Sequence, residues 1–413
     1  MSDAEQHSWP RVFAVFTVGV SAAFLVGKVP AALPVLRNEM NLTLFEAGLL
    51  VSMMSLVAAL GGVLIGALAE TSGLRRTAIA GIVVSVVGGI GGALAADPMQ
   101  LLVGRAVEGI GFFMMSVSLP GLVIQLSDGR RRQSAMGLWG GYLPFGAGLI
   151  LLIGGVVIAE IGWRGLWLMI TGAQAAMLAV LLWAAPRPPR RDKAAPSKAI
   201  AKTIATTARA RGPVMLAVTF GCYSGQYLAL TAFVPLILVE EASWSLPMAA
   251  AVAAGVMMIN AIGNVAAGLL LDKGFRRATL ILVAAVAMAG GACMVMSDVL
   301  PVEARLAGAV CFSCFGGLIP GALFAGVRHH APSPAHISTV NGLMLQGVAI
   351  GQFVGPALAT YLVSVGGGNW SWSLYYLLPM AALTALAGLY LGRIESETEA
   401  TMQQSGLSGQ TPR

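Results

Sequence analysis

Long apolar runs, separated by short polar segments, extend along most of the chain. About twelve of these runs reach or approach the roughly 20 residues that a helix needs to cross a bilayer. None shows the strict alternation of apolar and polar residues that is typical of barrel strands. Their predicted limits are 11–36, 45–69, 77–96, 99–126, 134–159, 163–185, 213–239, 246–271, 278–297, 303–327, 337–364 and 372–392. The pattern therefore predicts an all-α membrane protein with about twelve transmembrane helices, called spans 1 to 12.

A long polar segment at 186–212 separates the first six spans from the last six. It is rich in Pro, Ala, Lys and Arg, which predicts a linker with a short surface helix at 198–210. The predicted parts, in chain order, are a cytoplasmic N-terminus at 1–10, a six-helix half at 11–185, a cytoplasmic linker at 186–212, a second six-helix half at 213–392 and a cytoplasmic tail at 393–413.

The composition excludes an ordinary soluble domain. Hydrophobic residues make up 57% of the 413 residues, and charged residues only 10%, against about 25% in soluble domains. No Walker sequence is present, and the glycines at 88–92 do not follow a strand. No catalytic constellation stands out either, so we expect no enzyme activity, no cofactor and no metal site.

The basic residues predict the orientation. If residue 1 is cytoplasmic, 20 of the 25 Lys and Arg residues lie in cytoplasmic segments, and only Arg37 and Arg164 lie outside. Cytoplasmic loops carry the excess of positive charge in membrane proteins. We therefore expect a multi-pass protein of the inner (cytoplasmic) membrane with both termini in the cytoplasm.

The two halves repeat each other at a nearly constant offset. The segment 66–76, GALAETSGLRR, matches 268–277, GLLLDKGFRR. Arg105 matches Arg305 at an offset of 200 residues, and Pro120-Gly121 and Pro320-Gly321 share that offset. The matches fall at similar depths in matching spans, which predicts a duplicated six-helix unit. In transporters built this way, the solute site lies between the two halves.

The repeated loop segments resemble the G-x-L-x-D-x-x-G-R/K-R/K motif of the major facilitator superfamily. The first copy is Gly66, Leu68, Glu70, Gly73, Arg75 and Arg76, and the second is Gly268, Leu270, Asp272, Gly274, Arg276 and Arg277. Glu70 replaces the usual Asp, and the second copy is one residue shorter between its acid and its glycine. The resemblance covers about 11–392 and implies the major facilitator fold, with two pseudo-symmetric halves that rock around a solute.

The charged residues of the motif suggest a conformational gate. An acid at a helix end pairs well with a loop arginine, and such a clasp would hold one face closed. The alternative is a solvated loop whose arginines only fix the topology. The predicted gate residues are Gly66, Glu70, Gly73, Arg75, Arg76, Asp272, Gly274, Arg276 and Arg277.

Span 4 contains GRAVEGIG at 104–111, which resembles a second motif of the superfamily. In that family its arginine, here Arg105, is often tied to proton coupling. Span 5 lacks the Gly-Pro pair of the proton-driven drug exporters, although Gly355-Pro356 occurs in span 11. Span 1 and the stretch 319–356 also resemble the cyanate and nitroimidazole permease branch.

Charged residues within spans are candidates for function because burying a charge in a bilayer is costly. Lys28, Arg105 and the shallower Arg305 are basic, whereas Glu108 is the only one of 18 acids that lies clearly within a span. An excess of positive charge favours an anionic solute, with Glu108 as the proton-coupling residue. The alternative is a purely structural pair of Glu108 with Lys28 or Arg105.

Polar side chains in the spans usually face the interior of the bundle, where they join helices or contact solute. The further candidates for solute binding are Tyr142, Tyr223, Gln226, Tyr227, Asn260, Asn264, Gln346 and Gln352.

The sequence thus predicts a secondary active transporter for a small anionic solute, with protons as a second substrate. One alternative is a proton-driven multidrug or metabolite exporter of the same fold, and another is a non-transporting membrane sensor. The expected partners are the solute, protons and the lipid bilayer, without nucleic acid, and we expect the protein to function as a monomer.

Overall fold

The computed structural model describes residues 9–62, 72–127, 135, 138–139, 141–186, 197–333 and 336–404. These residues form helices and turns, with no β-strand among them. The first six helices are α1 (Trp9–Glu39), α2 (Leu44–Gly62), α3 (Leu74–Ala93), α4 (Pro98–Leu126), α5 (142–161) and α6 (163–184). The short helix α7 (Ser197–Arg209) follows. The last six are α8 (Arg211–Glu240), α9 (Leu246–Asp272), α10 (Arg277–Val295), α11 (Val302–His330), α12 (Ile337–Val365) and α13 (Leu374–Gln404).

Eleven helices of the described residues are long and apolar enough to cross a membrane. One of them, Tyr142–Ala184, has 43 residues and consists of two helices that meet at a kink at Gly162, where φ is 73°. Glycine adopts this left-handed conformation without steric strain, so the chain passes from α5 into α6 without a loop. The prediction of about twelve spans is confirmed: α1 to α6 are spans 1 to 6, and α8 to α13 are spans 7 to 12.

Local capping sets where two of the helices begin. Thr43 and Glu46 form a capping box at the start of α2, in which each side chain accepts a hydrogen bond from the other residue's backbone N–H. Asp97 accepts a hydrogen bond from the backbone N–H of Gln100 at 2.9 Å, and Pro98 takes the first helical position of α4. This cap fixes the start of the helix that carries Arg105 and Glu108.

Equivalent glycine contacts recur in the two halves. A Cβ atom on Gly88 of α3 would lie 2.9 Å from the carbonyl oxygen of Gly104 in α4. In the second half, a Cβ on Gly291 of α10 would lie 2.6 Å from the carbonyl oxygen of Gly308 in α11. Small residues let these backbones approach closely in a membrane, where apolar side chains gain little by leaving lipid. The recurrence confirms two pseudo-symmetric six-helix halves.

The bundle has two ends, which we name by residues that lie there. The Arg37 end carries Arg37, near the end of α1, and the linker end carries α7. At the Arg37 end the halves touch: Arg37 forms an ion pair with Glu240 at the end of α8. Gly155 of α5 packs on Pro247 of α9: a Cβ atom added to Gly155 would lie 2.8 Å from the Cα atom of Pro247. Gly48 of α2 likewise packs on α12. The two halves are therefore in direct contact at the Arg37 end.

The observed helix limits follow the sequence expectation closely in some places and depart from it in others. The surface helix predicted at 198–210 is observed at Ser197–Arg209, within one residue at each end. Helix α13 continues to Gln404, beyond the predicted limit of 392. Hydropathy ends at residue 392 because polar residues follow, but the helix itself continues, and Arg393 and Glu397 form an i,i+4 pair on it. The end of span 2, predicted at 45–69, lies outside the described residues.

Candidate functional site

A cluster of three charged side chains lies inside the first half. The Glu108 carboxylate forms ion pairs with Lys28 of α1 through one oxygen and with Arg105 through the other. The Arg105 Nη1 to Glu108 Oε2 distance is 2.7 Å. The Lys28 and Glu108 side chains are 0% exposed, and that of Arg105 is 1% exposed. We call Lys28, Arg105 and Glu108 the charged cluster.

Helix geometry and glycine packing assemble this cluster. Arg105 and Glu108 are three residues apart on α4 and so share one face of the helix. Gly88 of α3 allows close packing there, because a Cβ on it would lie 2.6 Å from the backbone nitrogen of Glu108. The Lys28 ammonium lies 4.3 Å from the centre of the Trp167 ring of α6. A cation over an aromatic face is stabilised electrostatically, so Trp167 partly replaces the lost hydration of Lys28.

The charged cluster has more hydrogen-bond donors than acceptors. Arg105 Nη1 also donates to the Leu25 carbonyl at 3.0 Å, whereas the acceptor of Nη2 among the described residues is the Met54 sulfur at 3.5 Å. Arg105 Nε and Trp167 Nε1 are buried without an acceptor among the described residues. Two cations face one carboxylate, so the formal charge of the cluster is positive by one. A site of this kind attracts an anion or a hydrogen-bond acceptor.

One turn of α2 separates the cluster from the second half. Residues Met53–Ser55 form a short 3-10 turn within α2. Met54 contacts Arg105, and its neighbour Ser55 donates a hydrogen bond to Gln352 Oε1 of α12 at 3.1 Å. Gln346 of α12 donates to the Ala59 carbonyl of α2 at 3.2 Å. The predicted residues Gln346 and Gln352 therefore join the halves beside the cluster.

A second polar network, without charges, lies in the second half. Asn260 Nδ2 of α9 donates to Tyr223 Oη of α8 at 3.1 Å and to the Ser313 carbonyl of α11 at 2.9 Å. Asn264 Nδ2 donates to Asn260 Oδ1 at 3.1 Å. The hydroxyls of Tyr227 and Ser313 are 3.2 Å apart. Four predicted site residues, Tyr223, Tyr227, Asn260 and Asn264, thus come together in one network.

Three other predicted residues lie away from both groups. Tyr142, at the start of α5, stacks on Trp139, which precedes that helix, with ring centres 4.3 Å apart. Gln226 donates to Thr384 of α13 at 3.2 Å, inside the second half. Arg305 pairs with Glu241 at 2.7 Å, at the Arg37 end of the bundle. Its side chain therefore extends towards the bundle end, where a long basic side chain at a shallow depth can keep its charge out of the apolar interior.

The sequence profile of the Major Facilitator Superfamily matches residues 12–345, most of the chain. The chain belongs to this superfamily. Members of this superfamily are transporters, and the described residues of this chain contain the long apolar helices of a multi-pass membrane protein. The narrower resemblance to the cyanate and nitroimidazole permease branch stays a prediction.

Similarity to individual relatives is more distant. The Quinolone resistance protein NorB of Staphylococcus aureus, strain JH9, is 25% identical over 171 residues, and the same protein of strain Newman matches equally. The match covers 41% of this chain and 36% of NorB, so it spans about a third of the relative's length.

Solved structures share the fold. A bacterial homolog of the human lysosomal transporter Spinster, in an inward-facing and unoccupied conformation, has a TM-score of 0.73 at 16% identity, over 94% of this chain and 98% of that chain. A D-xylose-proton symporter has a TM-score of 0.69 at 17% identity, over 92% and 97%. At such identities the likeness shows the major facilitator fold alone.

Only part of the superfamily loop motif lies within the described residues. Gly66 and Glu70 lie outside the described residues. Gly73 and Gly274 have φ of 94° and 88°, so both copies use glycine for a left-handed turn. Arg75 donates to the Leu182 carbonyl of α6 at 3.2 Å. Arg76, Asp272 and Arg276 are exposed. The clasp between motif acids and arginines stays a prediction.

Arg277 of the second motif copy has partners that the sequence did not indicate. It pairs with Glu395 of α13, and its Nε donates to the Ala322 carbonyl of α11 at 2.8 Å. His330 Nε2 lies 2.9 Å from the same Glu395 carboxylate. Sequence reasoning missed Glu395 because it lies beyond the predicted end of span 12.

Met54 and Trp167 were also missed near the charged cluster. Both are apolar residues within apolar spans, so no pattern in the sequence distinguishes them from ordinary packing residues. Only the rotation of α2 and α6 about their axes shows that they face Arg105 and Lys28.

Proposed function

We propose that this major facilitator transporter is a secondary active transporter that moves a small anionic solute across the cytoplasmic membrane, coupled to protons. The observation that carries the proposal is the charged cluster, in which Glu108 alone offsets Lys28 and Arg105. Charges inside membrane proteins face protein or water and mark transport pathways. The remaining positive charge and the unpaired donors of Arg105 and Trp167 favour an anion as the missing partner.

Proton coupling follows from the same arrangement. A proton on Glu108 raises the formal charge of the cluster from one positive charge to two. An anion then takes over as counter-ion to Lys28 and Arg105, so proton and anion each strengthen the binding of the other. Anion affinity should therefore rise as the pH falls.

Alternating access follows from the contacts between the halves. The positive-inside rule places the linker end in the cytoplasm, with the N-terminus, the linker and the tail on that side. The Arg37–Glu240 pair and the packing of α2 on α12 then close the outer face. Transport then requires the halves to rock, which opens the Arg37 end and closes the linker end.

A proton-driven exporter of drugs or metabolites is the second candidate. The NorB similarity favours it, because that relative is named for quinolone resistance. The positive charge of the cluster argues against cationic drugs as the preferred solutes. We propose that the transporting unit is a monomer, with the solute between the halves at 11–185 and 213–392.

Uptake into liposomes tests the proposal. The purified full chain is reconstituted, and uptake of labelled small anions is compared with that of lipophilic cations, with and without an inward proton gradient. We expect anion uptake that the proton gradient stimulates. Arg105→Ala and Lys28→Met should each abolish it, whereas Arg393→Ala, on an exposed residue of α13, should not.

The outcomes separate the candidates. Transport of lipophilic cations without anions would favour the exporter. Anion uptake that is unchanged in both cluster variants would remove the charged cluster from the solute site. Impermeant labelling from outside of a single cysteine placed at Ala194 of the linker would overturn the orientation.

A further inference from the structure

The Arg105 guanidinium presents one edge without a strong acceptor. Its Nη1 is engaged by the Glu108 carboxylate and the Leu25 carbonyl. The opposite edge of the guanidinium is formed by Nε and Nη2. Among the described residues Nε has no acceptor there, and Nη2 has only the Met54 sulfur at 3.5 Å. A thioether is a weak acceptor, so this edge is poorly satisfied although the side chain is 1% exposed.

We infer that a carboxylate group of the solute binds to this Nε/Nη2 edge and displaces the Met54 side chain, so that Met54 controls access to the anion site. The inference rests on the proposed function and adds the chemical class of the solute and a residue that determines access.

The geometry of the free edge favours a carboxylate. Its two N–H groups point in parallel, which matches the two oxygens of a planar carboxylate in a bidentate pair. A halide offers a single centre and cannot make two parallel, linear hydrogen bonds. Glu108 already occupies the other side of the guanidinium, so both carboxylates can bind Arg105 at once.

The position of Met54 in α2 suits a residue that controls access of the solute to Arg105. Met54 lies in the 3-10 turn Met53–Ser55, where the regular hydrogen bonding of α2 is interrupted. A short 3-10 segment inside a helix often marks a hinge. Gly109 of α4 packs directly on the Met54 backbone carbonyl, so the turn lies flat on the helix that carries Arg105.

On its other side the same turn contacts the second half. Ser55 donates to Gln352 of α12 at 3.1 Å, so Arg105 and the interface between the halves are separated by one side chain. When α2 and α12 part, the Met54 side chain becomes free to leave the guanidinium. The solute then reaches Arg105 from the space between the halves.

Ligand-dependent thermal unfolding of the purified full chain tests the inference without a transport assay. Acetate and benzoate serve as carboxylate probes, and chloride and bromide as halide probes. A ligand that binds the folded state raises the unfolding temperature as its concentration rises, which yields an apparent Kd. The variants are Met54→Ala, Arg105→Lys and the control Met288→Ala, on a buried methionine of α10 in the other half.

We expect carboxylates to stabilise the wild-type protein at lower concentrations than halides. Met54→Ala should tighten carboxylate binding several-fold, because the sulfur no longer competes for the edge. Met288→Ala should lower the unfolding temperature but leave the carboxylate Kd unchanged. Arg105→Lys keeps the positive charge but loses the two parallel N–H groups of the guanidinium, so carboxylates and halides should then bind with similar affinity.

Two results would overturn the inference: equal wild-type affinity for carboxylates and halides, or the same Kd in Met54→Ala and Met288→Ala. The failure of the proposed function looks different. In that case neither class of anion stabilises the wild-type protein, whereas the inference alone fails if halides and carboxylates both bind without preference.

Discussion

Lys28 and Glu108 form an ion pair between α1 and α4, and neither side chain is exposed. Arg105 binds the same carboxylate, so removing the acid and removing one base have unequal consequences. Loss of Lys28 leaves one cation and one anion, whereas loss of Glu108 leaves two buried cations without a counter-charge. We therefore expect the cluster to tolerate the loss of Lys28 better than the loss of Glu108.

We predict that Glu108→Gln lowers the free energy of unfolding by about 3–5 kcal/mol, the typical effect of leaving a buried charge unpaired. Lys28→Met should change it by less than about 1.5 kcal/mol, because the Arg105–Glu108 pair remains balanced. Thermal unfolding of the purified variants measures both. Equal losses in the two single variants would contradict the asymmetry.

The double variant Lys28→Met/Glu108→Gln separates stability from transport. It retains one buried cation instead of two, so it should recover most of the stability lost in Glu108→Gln. It should not take up anions, because Lys28 is absent. A stable double variant that transports with normal affinity would remove Lys28 from the proposed solute site.

We predict that Gly88→Ala destabilises the first half and reduces transport. The added Cβ would lie 2.6 Å from the backbone nitrogen of Glu108, so α3 and α4 must separate. Overpacking of this kind typically costs about 1–3 kcal/mol. Gly91→Ala on the same helix is the matched control, because no atom lies within 4 Å of its added Cβ. Similar unfolding temperatures for the two variants would show that the close approach is not required.

We predict that Arg37→Ala shifts the equilibrium towards a state that is open at the Arg37 end. The Arg37 and Glu240 side chains are 28% and 30% exposed, so their pair contributes only about 0.2–1 kcal/mol. That energy corresponds to a change of roughly 1.4- to 5-fold in the ratio of the two states. Distances between spin labels on α1 and α8 report the ratio.

The charge-reversed double variant Arg37→Glu/Glu240→Arg is the control for the role of this ion pair in holding the Arg37 end closed. It restores the attraction between the two helices and should return the distance distribution to that of the wild type. A distribution that is unchanged in Arg37→Ala would exclude the pair as a latch.

We predict that Glu395→Ala lowers the free energy of unfolding by about 1–3 kcal/mol, because it leaves the buried Arg277 without its ionic partner. Glu397→Ala, two residues along the same helix at an exposed position, should change it by less than about 0.5 kcal/mol. Chemical or thermal unfolding of the two variants provides the comparison. A similar loss in both would assign the effect to α13 as a whole.

Much of the fold could be predicted from the sequence. The spans, the repeat and the surface helix at 198–210 depend on local composition, which hydropathy and spacing record directly. The site was predicted less completely. The i,i+3 spacing indicated that Arg105 and Glu108 share a face, but the sequence left open which base Glu108 binds. In the structure it binds both.

The sequence by itself determined that this chain is a helical membrane protein with two halves. Whether an apolar run is long enough to cross a bilayer depends only on the residues of that run, so it can be read from each segment separately. Only the tertiary structure decided the partners. Lys28 and Glu108 are 80 residues apart, and Arg277 pairs with Glu395 of a distant helix. Such pairs depend on how each helix is rotated about its axis and on which glycines let the backbones approach, and side-chain packing across the whole bundle sets both.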